Sequence, residues 1–278
     1  MRKSQSIGDS ITDELSVEQS REFALQKEQN YLKLMNASAN TSSEPMKEDN
    51  ALEVRMPYLL AFTFVYGLGM WHVTWTLAGN SQTTDVFKAK FDWTEDETIT
   101  YNTIISSAGI VGLTVGCIFS GSLIKAGRRK AAIVAQSSAI IGSLVTMLGN
   151  VAFFSIGRVI LGAAAGCQII LFGKSIVENM PEKLGARFAM FVNASVCLGF
   201  LPCYGMGAIL PDPEDYEANK VDEKWRVIFL VPAIIGMFSL IMLFLVFKEE
   251  PITYCIVNAR EEEAIRHMKK VYRFKNPD

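Results

Sequence analysis

Histidine and cysteine are scarce in this chain, and several other signals are missing altogether. Two histidines and five cysteines with no CxxC pair leave too few ligands at metal-site spacing, so no metal and no cofactor are expected. Cys117, Cys167, Cys197, Cys203 and Cys255 fall mostly in apolar stretches and read as small buried hydrophobes. There is no GxxxxGK[ST] loop, which argues against ATP as an energy source. No basic stripe with interleaved aromatics occurs and the formal net charge is −2, so nothing points to nucleic acid. A charged start followed by an apolar core and a small-residue cleavage site is also missing, so no secretory signal peptide is expected in the first residues. No nucleophile, base and orienting acid come together at a shared depth, and an enzyme is the least supported class.

What is present is apolar. Half of the residues are hydrophobic and the mean hydropathy is positive, in spite of a polar first fifty residues. Residues 1–50 are rich in Ser, Glu, Asp, Lys, Asn and Gln and read as a disordered cytosolic tail, with a short polar helix open over Ser16–Leu34. Six apolar segments follow, approximately Pro57–Gly79, Thr103–Ile124, Ala131–Gly149, Phe153–Phe172, Phe188–Leu210 and Val227–Phe247. Each is near the roughly 20 residues that cross a bilayer. Their apolarity is continuous rather than alternating, which selects helices and excludes a membrane barrel. The expected fold is an all-α membrane protein, with a six-helix transmembrane bundle over 51–250 and a cytosolic helical tail over 251–278.

Loop charge orients the bundle. Lys125, Arg128, Arg129 and Lys130 follow the second segment without an acid, and Arg260, Arg266, Lys269, Lys270 and Arg273 follow the sixth. Acids dominate after the first segment (Asp85, Asp92, Glu95, Asp96, Glu97) and after the fifth (Asp212, Glu214, Asp215, Glu217, Asp222, Glu223). The positive-inside rule then places both termini in the cytosol. Asn36 and Asn40 match the glycosylation acceptor pattern but lie on the wrong side of the membrane for it.

The stretch Gly157–Gly185 concentrates the functional signals. Arg158 lies inside an apolar run, where a charge costs at least about 2.5 kcal/mol unless it faces protein or water. Two readings stand: a functional interior charge, or an arginine snorkelling from near a helix end. Gly162 and Gly166 have the GxxxG spacing that allows close helix contact.

These residues resemble the major facilitator superfamily, and within it the sugar porters. Gly127, Arg128 and Arg129 are similar to the superfamily's loop between its second and third helices, although its acid is replaced by Ile124 or Lys125. Gly157, Arg158 and Gly162 resemble the sugar-porter Gly-Arg motif, and Glu178 with Pro181 resembles its Glu-x-x-Pro. The resemblance implies that Glu178 pairs with Arg128 or Arg129, with Arg187 as the alternative; a merely solvated Glu178 is the competing reading. Trp225-Arg226 and Glu249 with Pro251 resemble two further signatures, the second degraded at Lys248 and Ile252.

Asn193 lies six residues before Gly199, the spacing at which sugar porters carry a sugar-contacting glutamine. Its amide suits hydroxyl groups, or a helix-to-helix hydrogen bond. Gln168 is a second candidate for the cavity. Proton-coupled sugar porters carry an acid in the first helix; none occurs between Pro57 and Asn80, and His72 is either a proton carrier or packed structure.

The resemblance covers roughly Pro57–Tyr272. It implies one half of the superfamily fold, moving a small polar solute, most naturally a sugar, by alternating access. Polyols or organic ions, or a non-transporting sensor on the same half-fold, are the alternatives. The implied partners are the lipid bilayer, a sugar-like solute and either a C-terminal half or a second half-transporter. The plasma membrane is the expected location.

Overall fold

The computed structural model describes residues 26, 29, 52–180 and 182–274. Most of the polar tail, both Asn-x-Ser/Thr sites and Pro181 lie outside the described residues; Gln26 and Gln29, within the proposed Ser16–Leu34 helix, are helical. Six long helices dominate: α1 (Met56–Ala78), α3 (Glu95–Lys125), α4 (Arg128–Thr146), α5 (Val151–Asn179), α6 (Glu182–Gly205) and α8 (Trp225–Leu245). Short helices stand between and after them: α2 (Thr84–Lys90), α7 (Tyr216–Val221), α9 (Ile252–Val257) and α10 (Glu261–Val271).

Local chemistry sets the ends. The Thr94 side chain accepts from the Glu97 amide while Glu97 accepts from the Thr94 amide, a capping box that starts α3 eight residues before its apolar run. At the α3–α4 turn Gly127 has φ 137°, a conformation that a side chain opposes.

By length and composition, α3, α5, α6 with its 3₁₀ extension to Ile209, and α8 are long and apolar enough to cross a membrane. In the other two long helices, α1 and α4, polar residues turn inward. Thr63, His72, Thr74 and Thr76 of α1 are buried, as are Gln136 and Ser143 of α4. Outward positions such as Ile110, Ile118, Leu198, Leu201 and Phe244 are apolar and exposed, the face that lipid solvates.

Two compact units result. The larger comprises Thr63–Val177 and Glu182–Lys248. At one end of it Trp75, Phe87, Phe154, Trp225 and Phe229 pack together. Phe87 meets Phe154 and Trp225 edge-on at 4.9 and 5.0 Å. Its α3 and α5 cross with backbones almost touching. A Cβ on Gly162 would strike the Gly109 carbonyl and one on Gly166 the Leu113 carbonyl, while Gly112 and Gly116 meet Val159 and Ala163 in return.

The smaller unit comprises Met1–Phe62, Glu178–Pro181 and Glu249–Asp278. In it β1 (Leu52–Val54) pairs antiparallel with β2 (Tyr272–Phe274), matching Val54 to Tyr272. The α10 helix buries Ala264, His267, Met268 and Val271 along one face.

Candidate functional site

The interior of the larger unit holds charge and polarity that lipid could not. Arg158 of α5 is 1% exposed, which removes the snorkelling reading. Its guanidinium donates to the carbonyls of Trp75 (2.9 Å) and Thr76 (2.5 Å). Both carbonyls belong to the last turn of α1, where the helix runs short of its own donors; that of Trp75 also accepts from the Gly79 amide at 3.0 Å. Arginine is suited to this because its planar fork presents several donors from one rigid group.

Pro232 creates a similar need inside α8. Proline has no N–H, so it cannot bond the carbonyl four residues back, which is that of Ile228. The indole of Trp75 donates to that carbonyl at 2.7 Å.

Nearer the middle of α1, His72 Nε2 lies 2.8 Å from Gln136 Oε1, and Gln136 Nε2 donates to Ser239 Oγ at 3.0 Å. Gly69 lets Gln168 of α5 close on the same stretch: a Cβ there would lie 2.9 Å from Gln168 Oε1. Four helices thus converge on an imidazole, two carboxamides and a hydroxyl, all at most 2% exposed. Asn193, by contrast, is exposed on α6, so the two proposed solute contacts occupy unlike surroundings. On the same helix Gly199 faces Thr74 and Trp71 of α1, and Thr74 Oγ1 donates to the Val196 carbonyl at 3.0 Å.

The ends of the larger unit carry the charges. Arg129 donates to the carbonyls of Leu243 and Phe247, closing the C-terminus of α8, and its guanidinium lies 5.6 Å from the Phe244 ring. Arg128 donates to the Ile124 carbonyl at 3.3 Å, and Arg187 is exposed. At the end where α2 and α7 pack, Lys220 and Tyr216 reach Asp92 at 2.7 and 2.6 Å, and Lys90 pairs with Glu223. The Lys220 and Tyr216 hydrogen bonds hold the Asp92 carboxyl below the ordinary carboxylate range. Arg226 Nε lies 3.0 Å from Glu223 Oε2, over the Trp225 ring.

In the smaller unit the half-buried Glu178 contributes a carbonyl that accepts from Thr253. Glu249 pairs with Lys270 at 2.5 Å; burial works to raise its carboxyl, but the ammonium outweighs this and holds it low. His267 Nδ1 lies 2.7 Å from the Glu250 carbonyl and Nε2 3.4 Å from the Tyr58 hydroxyl. Among the described residues no group of three or more His, Cys, Asp or Glu is placed to hold a metal.

Gln136, Ser239 and the pairing of Trp75 with Ile228 were not anticipated from the sequence. A glutamine inside the third apolar segment and a proline inside the sixth were the available signals.

Residues 56–278 match the family described as sugar (and other) transporters. The chain belongs to this family. It is 28% identical over 192 residues to hexose transporter 1 of Plasmodium vivax (strain Brazil I), covering 66% of this chain and 38% of that protein. To hexose transporter 1 of Toxoplasma gondii it is 23% identical over 204 residues, covering 68% and 36%. The chain therefore spans well under half the length of these relatives. The major facilitator superfamily proton:xylose symporter XylE, bound to 6-bromo-6-deoxy-D-glucose, superposes with a TM-score of 0.69 at 19% identity, over 77% of this chain and 50% of that one. XylE of E. coli in an inward-open conformation gives 0.67 at 19%, over 77% and 52%. The fold is thus that of one half of a major facilitator superfamily protein.

Proposed function

We propose that the protein is a secondary transporter of a sugar, working by alternating access, and that this chain forms its N-terminal half-bundle. The family match over residues 56–278 carries the reading. In such transporters two halves rock about a midplane site. A C-terminal half, or a second half-transporter, supplies the other wall. Relatives named as hexose transporters and a neighbour named as a xylose symporter support a monosaccharide as the solute.

Arg158 favours a neutral solute over an organic anion, because two of its nitrogens are committed to α1 carbonyls. Asn193 is the proposed solute contact: it is exposed on α6, and its amide both donates and accepts toward hydroxyl groups. Gln168 stands behind α1 as a second polar contributor. Arg128, Arg129, Arg158, Glu178, Arg187, Arg226 and Glu249 are the residues whose charges bias the change between states. The basic loops face the cytosol and the plasma membrane is the proposed location.

Uptake of labelled hexoses and pentoses by cells lacking their own sugar carriers, expressing the full-length protein, tests this. Saturable uptake competed by unlabelled sugar is expected. Asn193→Ala should raise KM about tenfold, the loss of roughly one good hydrogen bond, at unchanged surface abundance. Uptake of no sugar above background would end the transport reading, and an unaltered KM would remove Asn193 from it.

A further inference from the structure

We propose that the larger unit contains a closed binding site for one hydroxyl group between His72 and Gln168, filled by an internal water or by a hydroxyl of the transported solute. Gln136 decides the protonation pattern. Its Nε2 donates to Ser239 Oγ, so its Oε1 is the end that faces His72 Nε2 at 2.8 Å. An amide oxygen only accepts, so the ring proton sits on Nε2 and Nδ1 is left as a bare lone pair. Nδ1 has no hydrogen-bond partner, and His72 is 0% exposed. Gln168 Nε2, which can only donate, also has none, and Gln168 is 1% exposed.

The Gln168 carboxamide packs against Gly69 of α1 through its Oε1 and Cδ. Gly69 lies one turn before His72, on the same helix face. A Cβ at Gly69 would lie 2.9 Å from Gln168 Oε1 and 3.0 Å from Gln136 Nε2, so both carboxamides lie against this turn of α1. A buried acceptor and a buried donor without partners are each costly, and here they are complementary. An anion would suit the Gln168 donor but not the lone pair, and a cation the reverse. A hydroxyl donates to Nδ1 and accepts from Nε2 at once, as buried waters do. Only the solute source rests on the transport reading; water in the site does not.

The test is radiolytic footprinting of the full-length protein in nanodiscs, in which bound waters become hydroxyl radicals in place and oxidise enclosed side chains beside them. His72 should be oxidised while Trp75, equally enclosed at 0% exposure and intrinsically more reactive, is spared. Oxidation unchanged by excess D-glucose or D-xylose assigns the site to internal water, and oxidation suppressed by sugar assigns it to a solute hydroxyl. A His72 as unreactive as Trp75 overturns the proposal. A second measurement stands apart from labelling. Gln168→Leu keeps the volume but removes the donor, so an occupied site should lower the melting temperature by about 2–4 °C. A rise would mean that the amide was dry and unsatisfied, and would also overturn the site.

Discussion

Replacing Trp75 and Pro232 together should cost less than the separate changes add up to. Trp75→Phe removes the indole N–H from the Ile228 carbonyl and leaves a smaller ring in a site that is 0% exposed. The packing loss appears whatever residue stands at 232, whereas the carbonyl penalty does not. Pro232→Ala restores an N–H four residues after Ile228, so in the Trp75→Phe background the helix satisfies its own acceptor. In the native background the same change adds a second donor to an oxygen already served, and gains little. Interhelical hydrogen bonds in a membrane protein average about 0.6 kcal/mol with a maximum near 1.7, so the double-mutant coupling should be about 1 kcal/mol. Unfolding of the four variants in mixed detergent micelles measures it. Strict additivity would refute the idea that Trp75 serves a carbonyl that proline exposes.

Three further outcomes follow from the same accounting. Gly162→Leu places side-chain carbon against the Gly109 carbonyl and should cost upward of about 1–3 kcal/mol, read as loss of folded protein by fluorescence-detected size exclusion, while Gly173→Leu, where a Cβ meets nothing within 4 Å, should be tolerated. Arg158→Leu should cost about 1–3 kcal/mol by removing the side-chain donor from the Thr76 carbonyl and one of two donors from that of Trp75, which keeps the Gly79 amide, with Arg158→Lys intermediate because one ammonium cannot reproduce the fork; equal melting of all three proteins would contradict this. Burial holds the His267 imidazole below its ordinary value of 6.5 against the hydrogen bond it donates to the Glu250 carbonyl, so its contribution to stability is complete above about pH 6.5 and is lost as pH falls through the folded value. Melting curves at pH 7.5 and pH 5 should separate for the native protein and separate less for His267→Gln.

The sequence made the six long helices legible because each apolar run is long enough to demand one, and the glycines at 162 and 166 announced a close crossing whose partner helix they could not name. It was less informative wherever a polar residue is satisfied from a distant part of the chain. The α3 start was written in Thr94 and Glu97, a capping box hidden inside a loop that also reads as an acidic connection. Helices α2 and α7, at seven and six residues, are too short to show a period. Gln136 looks like an ordinary interruption of an apolar run; its meaning depends on His72, 64 residues earlier, and Ser239, 103 later.

Two of the family-like residues, Arg158 and Arg129, share with Trp75 a structural duty that precedes any part in transport. Arg158, Arg129 and Trp75 each donate to carbonyls of a neighbouring helix: the last turn of α1, the last turn of α8, and the gap that Pro232 opens within α8. In lipid no water can serve those acceptors, so the side chain that reaches them fixes where one helix stands against the next. A loss of uptake after substitution at Arg158 or Arg129 would therefore report helix placement as readily as charge movement. The two are separable because placement alters stability in detergent without solute, whereas a charge that acts only in the change between states alters rate at constant melting temperature. Asn193 sits on the other side of this division: it is exposed, and a defect there at unchanged stability would belong to the solute.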